Sequence, residues 1–131
     1  MKTIFVFLCT AIVLASCSTP PAPTNIPQTR PTLTDPSQPI EVQTGETFNI
    51  VIESNPTTGY HWEIIGELSN IEFVSKDYQA DEPVATGSGG IDIWTFKAVS
   101  SGEAQIALGY FPPDMNATEP DQIVTFSIIV K

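Results

Sequence analysis

The chain has 131 residues, 15 acidic against 5 basic, a formal charge of −10 at pH 7, 2 cysteines and 1 histidine. That length bounds it to one small domain plus whatever leads into it. The acidic balance argues against nucleic-acid binding, because no basic patch exists to neutralise phosphates, and against direct docking on anionic lipid.

Residues 1–16 read as an export signal. Lys2 supplies a weak positive start, and Ile4 to Leu14 is an apolar run too short for a membrane span, which needs roughly 20 residues. The run ends in Leu14-Ala15-Ser16-Cys17, which looks like a bacterial lipobox, with small residues before a cysteine that takes lipid and becomes the new N-terminus. A diacylglyceryl group on Cys17 carries two acyl chains, enough for stable anchoring. The expected place is therefore the cell membrane or outer membrane, with the domain facing the periplasm or the outside. Cys9 leaves with the signal and Cys17 carries lipid, so the mature part has no thiol for a disulfide, a nucleophile or a Cys-based metal site. Loss of Lys2 takes the charge from −10 to −11. Residues 17–39 are rich in Pro, Thr, Ser and Gln without hydrophobic periodicity, which reads as a linker stiffened toward polyproline II. In that form the stretch after Cys17 spans on the order of 70 Å.

From Ile40 to Lys131 the dominant pattern is alternation with period two. Phe48, Ile50 and Ile52 share one face of a first strand, and Trp62 and Ile64 share one of a second. Ile71 and Phe73 form a short run, and Trp94, Phe96 and Ala98 form a longer one. Ala104, Ile106, Leu108 and Tyr110 define the next strand, and Val124, Phe126, Ile128 and Val130 the last. No stretch has sustained helical spacing with a cap. Residues 40–131 therefore read as one all-β domain, an immunoglobulin-like two-sheet β-sandwich of about seven or eight strands, with both tryptophans in its core.

Three sections break the alternation: residues 55–60, 79–90 and 111–121. The first, Asn55-Pro56-Thr57-Thr58-Gly59-Tyr60, has a turn-initiating Asn, a Pro that fixes φ and a Gly that permits positive φ, so it reads as a pre-formed tight loop. Such a loop loses little entropy on docking. Taken alone it is also compatible with a plain turn. The second ends in Gly87-Ser88-Gly89-Gly90, where missing side chains let another backbone come close; a flexible hairpin connection is the plainer reading. It lacks the Lys and following helix of a phosphate-binding loop.

In this order, these pieces resemble the chagasin family of cysteine-peptidase inhibitors. The matching elements are Asn55 to Tyr60, then Gly87 to Gly90 leading into Trp94-Thr95-Phe96-Lys97-Ala98, then Gly102, the strand to Tyr110 and a Pro-containing loop. The resemblance implies a monomeric sandwich that blocks a papain-like cysteine peptidase by inserting three neighbouring loops into its cleft, without a covalent step and without cofactor or metal. Thr57 would then reach the enzyme's Cys–His region. Thr58 and Gly59 would shape the tip, and Asn55 and Pro56 would fix it. Gly87, Ser88, Gly89 and Gly90 would lie along the substrate-binding side. In the third loop the family commonly carries Arg-Pro-Trp, whereas this chain has Tyr110-Phe111-Pro112-Pro113-Asp114. Pro113 matches, Pro112 and Asp114 stand in for Arg and Trp, and Tyr110 or Phe111 is left to substitute, with Tyr110 equally suited to pack on the core. Arg and Trp are typical interface anchors, each worth about 2 kcal/mol or more as hot spots, so weaker or narrower inhibition is expected.

An enzyme is hard to build from these residues. His61 is the one histidine, at a strand start, and a triad needs a nucleophile, base and orienter in contact. Zinc would need further His or Cys ligands. The acidic sets Asp77, Asp81, Glu82 and Asp114, Glu119, Asp121 lack calcium-loop spacing and read as solvated charge. Asn116-Ala117-Thr118 matches a glycosylation acceptor without meaning in a bacterial lipoprotein. The competing reading is a non-enzymatic surface sandwich for adhesion, carbohydrate binding or envelope assembly, which a flat row of exposed aromatics would favour.

Overall fold

The computed structural model describes residues 30–114 and 116–131. The export signal, Cys17 and the linker up to Thr29 lie outside the described residues. Eight strands follow in chain order: β1 (Thr32–Leu33), β2 (Ile40–Val42), β3 (Thr47–Ser54), β4 (His61–Ile65), β5 (Ile71–Ala80), β6 (Gly90–Ala98), β7 (Gly102–Phe111) and β8 (Gln122–Val130). A single 3-10 turn at Pro56–Thr58 is the one helical element among the described residues.

The strands form two four-stranded sheets, β1-β3-β6-β5 and β2-β8-β7-β4, stacked as an immunoglobulin-like sandwich. The alternating residues meet between them. Phe48, Ile50, Phe96 and Trp94 come from one sheet, and Ile106, Leu108, Phe126 and Ile128 from the other, all buried. Phe48 stacks on Phe96 with ring centroids 5.8 Å apart. Each such side chain contributes about 1.5–3 kcal/mol on leaving water, which lets a domain without disulfides hold together. Trp62 and Trp94 are both buried in this core.

Two boundaries differ from the sequence reading. The linker was expected to run to residue 39, yet Thr32–Leu33 pairs in parallel with Asn49–Ile50 of β3, and Leu33 is buried. A lone leucine between threonines produces no periodicity, so its strand was invisible in a Pro-rich run. After a crossing at residues 34–39, Ile40–Val42 pairs in parallel with Ile128–Val130, placing the leading edge of the domain in both sheets. The run at Ile71 and Phe73 is longer than expected, extending to Ala80 as an edge strand. Its register shifts by a bulge between Phe73 and Ser75, and most of its residues are exposed, so no alternation marks it.

Register fixes which end each loop occupies. Ser54 at the end of β3 faces Gly90 at the start of β6, and Ala80 at the end of β5 faces Gly90 as well. His61 at the start of β4 faces Phe111 at the end of β7, and Tyr110 faces Gln122 at the start of β8. The connections 55–60, 81–89 and 112–121 therefore emerge from one end of the sandwich. Arg30, beside the start of β3, and Lys131, at the end of β8, lie at the other.

Candidate functional site

The first loop is held by its own asparagine. Asn55 Oδ1 accepts from Thr57 N (3.2 Å) and from Thr57 Oγ1 (2.6 Å), while Thr58 Oγ1 donates to the Asn55 carbonyl at 2.7 Å. Gly59 N donates to the Pro56 carbonyl at 3.1 Å, closing the 3-10 turn, and Gly59 ends it at φ +84°. Pro56, Thr57, Thr58 and Gly59 are exposed, so the turn projects as a rigid tip. Both threonine hydroxyl protons are engaged internally; the tip offers methyl groups and oxygen lone pairs rather than free donors.

The second loop leans on the first. Asn55 Nδ2 donates to the Gly87 carbonyl at 3.3 Å, and Asp81 N donates to the Gly89 carbonyl at 3.0 Å, closing the loop base. Ser88 braces the turn: its Oγ donates to the Ala85 carbonyl at 2.7 Å and accepts from Ala85 N at 3.1 Å. A Cβ on Gly89 would come within 3.2 Å of the Ser54 carbonyl, so the glycine permits the close approach of the two loops. Gly90 plays a different part from the exposed backbone expected of it. It is buried as the first residue of β6, where any Cβ would collide with the Gln79 carbonyl oxygen of β5. Its missing side chain serves strand pairing.

The third loop packs on the other side of the tip. A Cβ on Gly59 would lie 2.7 Å from Cβ of Pro113, so Pro113 rests directly on the glycine. Tyr60 Oη donates to Asp121 Oδ2 at 3.0 Å, tying the first loop to the end of the third. That bond, and the Asp121 charge, hold the Tyr60 phenol above its ordinary pKa. Tyr110 stacks on Tyr60 (4.9 Å) and packs at a tilt against Trp62 (4.7 Å), and so forms the aromatic base of the loops instead of standing free as a substitute anchor. Phe111 is half-buried against His61, with ring centroids 6.1 Å apart, and Pro112 beside it is half-buried too. His61 is exposed, and its Nε2 lies 3.0 Å from Glu63 Oε1.

Beneath the loops, Trp62 Nε1 donates to the Glu53 carbonyl at 2.9 Å, just before Ser54 and Asn55. Lys76 Nζ donates to the Trp62 carbonyl at 3.3 Å and sits 3.0 Å from Asp92 Oδ2, an ionic contact without the alignment of a directed hydrogen bond. Lys76 also lies over the Trp94 ring, 4.6 Å from its centroid. This clasp crosses from the β5 edge of one sheet to the β4 edge of the other. A groove of about 850 Å³ opens beneath the loops, lined in part by Ile52, Trp62, Tyr110 and Val124.

One residue escaped the sequence reading. Val84, at 74% relative exposure, is the most exposed large hydrophobic among the described residues and stands in the second loop near Asp81 and Glu82. A lone branched apolar residue in an otherwise polar and Gly-rich stretch was the available signal. No group of three or more His, Cys, Asp or Glu among the described residues is arranged to hold a metal ion. Of the exposed aromatics, Phe73 packs against Trp94 (5.8 Å) and Phe96 (5.9 Å), so no flat aromatic row forms with Tyr78 along β5.

Comparison with known proteins gives the same grouping of strands and loops a family. A profile described as the chagasin family peptidase inhibitor I42 matches residues 41–130. The crystal structure of the cysteine protease inhibitor EhICP2 from Entamoeba histolytica superimposes with a TM-score of 0.63 at 24% identity, covering 77% of this chain and 95% of that one. The solution structure of Amebosin matches with a TM-score of 0.59 at 28% identity, covering 78% of this chain and 98% of that one. No curated protein matches the sequence significantly. The profile covers more than half of the chain, and the chain belongs to the chagasin family of peptidase inhibitors.

Proposed function

We propose that this protein reversibly inhibits papain-like cysteine peptidases by filling the active-site cleft with its three loops. The observation that carries this reading is the contact of all three at one end, through Asn55 with Gly87 and Gly59 with Pro113. The first loop forms the central wedge. A peptidase cleaves an extended segment, whereas Pro56–Thr58 is wound into a 3-10 turn and ends in a left-handed glycine. Thr57 thus approaches the thiolate–imidazole pair on a backbone that offers no aligned peptide bond. Internal hydrogen bonds have already ordered the turn, so little entropy remains to be lost on binding.

The export and lipid-anchor reading of residues 1–17 belongs to the same proposal. The described chain begins at the pole opposite the loops, and a tether on Cys17 would leave the loops pointing away from the bilayer. The protein would then act as a lipid-anchored monomer at the cell membrane or outer membrane. Metabolic labelling with radioactive palmitate should mark the wild-type chain and not Cys17→Ser; equal labelling would refute the anchor.

The inhibitor reading is tested by titrating papain with the full chain, using hydrolysis of a small neutral substrate as the readout. Thr57→Asp, which adds charge at the tip, should reduce affinity at least about a hundredfold, near 3 kcal/mol. Circular dichroism should be unchanged, because the position is exposed. Equal inhibition by wild type and variant would remove the first loop from the mechanism.

A further inference from the structure

Carboxylates occur at both poles of the described chain, but its loop segments carry no lysine or arginine. None of residues 55–60, 81–89 and 112–121 is Lys or Arg. The second loop carries exposed Asp81 and Glu82, and the third carries exposed Asp114, Glu119 and Asp121. The cations lie elsewhere. Arg30 precedes β1, Lys97 faces Thr47 at the start of β3, and Lys131 follows β8 beside Glu41. Lys76, the remaining cation of the described residues, stands partly exposed on the β5 edge and is paired there with the buried carboxylate of Asp92. The loops therefore carry net negative charge with no cation of their own, and the nearby Lys76 is already balanced by Asp92. Asp121 is tied to a neutral phenol, which leaves its charge in place.

We propose that the loop face selects a cysteine peptidase whose cleft is rimmed by Lys and Arg, and that this attraction does part of the work left vacant by the missing Arg and Trp of the third loop. The proposal deepens the inhibitor reading and rests on it. Like charges brought together across an interface cost several kcal/mol, so an acid-rimmed peptidase is rejected by the same residues that steer a basic one. Long-range attraction acts before contact, and its signature is an association rate that falls with ionic strength. Val84, a large and exposed apolar residue of the second loop, follows Asp81 and Glu82 in the chain, so an apolar contact is available beside these charges.

The test measures association and dissociation rates of the full chain, held in a neutral detergent, with papain, a basic enzyme, and with papain whose lysines have been succinylated. Papain association should slow about tenfold or more between about 20 and 500 mM salt, with dissociation changing little. Succinylated papain, still active on a small neutral substrate, should bind far more slowly at low salt. Neutralising the loop pole with Asp81→Asn, Glu82→Gln, Asp114→Asn and Glu119→Gln should flatten the salt dependence. The same charge change at the far pole, through Glu46→Gln, Glu67→Gln, Glu72→Gln and Glu103→Gln, should leave it steep. Inhibition of both papain forms with salt-independent association would overturn the electrostatic selection while the inhibitor reading stands. Equal effects of the two charge sets would overturn the claim that the loop pole is responsible. No inhibition of either papain form at any salt would overturn the inhibitor reading and this proposal with it.

Discussion

Asn55 joins more of the loop structure than any neighbour: its Oδ1 receives two donors from Thr57, its carbonyl receives Thr58, and its Nδ2 reaches Gly87. Asn55→Ala removes the side-chain bonds and leaves the Thr57 hydroxyl and backbone N–H without their acceptor. The expected outcome is a loss of affinity for papain of about 10- to 100-fold, or roughly 1.4–2.8 kcal/mol. Stability should fall by only about 1 kcal/mol, as for loss of a helix cap, and thermal melting checks that separation. Gly59→Ala is harsher for its size, because a Cβ meets both the positive φ and Pro113. It should displace the third loop, which appears in NMR as shifts of Pro113 and Tyr60 resonances. The Tyr60–Asp121 tie carries a pH sign. The Tyr60 pKa is raised by its bond to the Asp121 carboxylate and then by that charge, so the tie is complete below the ordinary phenol pKa, near 10, and is lost as pH rises through the raised value. Inhibition should not vary across the neutral range through this bond. The phenolate absorbance of wild type minus Tyr60→Phe should titrate above a free tyrosine; titration at the free value would dissolve the tie.

At the scale of elements, the loops are only as fixed as the strands that launch them, and the clasp through Lys76 is where β4, β5 and β6 meet. Lys76→Met leaves the buried Asp92 carboxylate without its cation, a change that destabilises by about 3 kcal/mol when one partner of such a pair is removed. Lys76 keeps roughly a third of its side-chain exposure, which places the expectation at the low end of that range. The double change Lys76→Met with Asp92→Leu should recover much of the loss, and urea denaturation of the three proteins checks the coupling. This clasp was not legible beforehand. Asp92 shares the inward face of β6 with Trp94, but Lys76 reads as an ordinary surface charge, and only the bulge after Phe73 turns it toward Trp94 and Trp62. By contrast β3, β6, β7 and β8 announced themselves, because Phe48, Phe96, Ile106 and Phe126 alternate with polar neighbours wherever one sheet face meets the core. The first loop was legible for a local reason: Asn, Pro and Gly each dictate a backbone angle. What local chemistry does not encode is adjacency between loops, which follows from the register of Ser54 with Gly90 and His61 with Phe111.

Taken as a whole, the molecule has two unlike ends, and the seam that closes its side is the short stretch where β1 leaves one sheet and β2 joins the other. Leu33 is the one buried residue of segment 30–39, yet it joins the core cluster and seals it beside β3, and Asn49 N is satisfied by the Pro31 carbonyl at 2.8 Å. A chain that begins at Ile40 keeps the region matched by the family profile but loses this seal. Burial of a leucine is worth about 1.5–3 kcal/mol, and one backbone hydrogen bond adds about 1 kcal/mol, so the short form should unfold at markedly lower urea than a chain from Arg30. Since a small domain has only about 5–15 kcal/mol in total, that difference is large enough to populate unfolded chain and expose it to proteolysis. Leu33→Ala in the longer chain should reproduce most of the loss, which separates the effect of the side chain from that of the truncation. Identical midpoints for the chains starting at Arg30 and Ile40 would mean that residues 30–39 are a passive leader, and the domain boundary would return to where composition alone had put it.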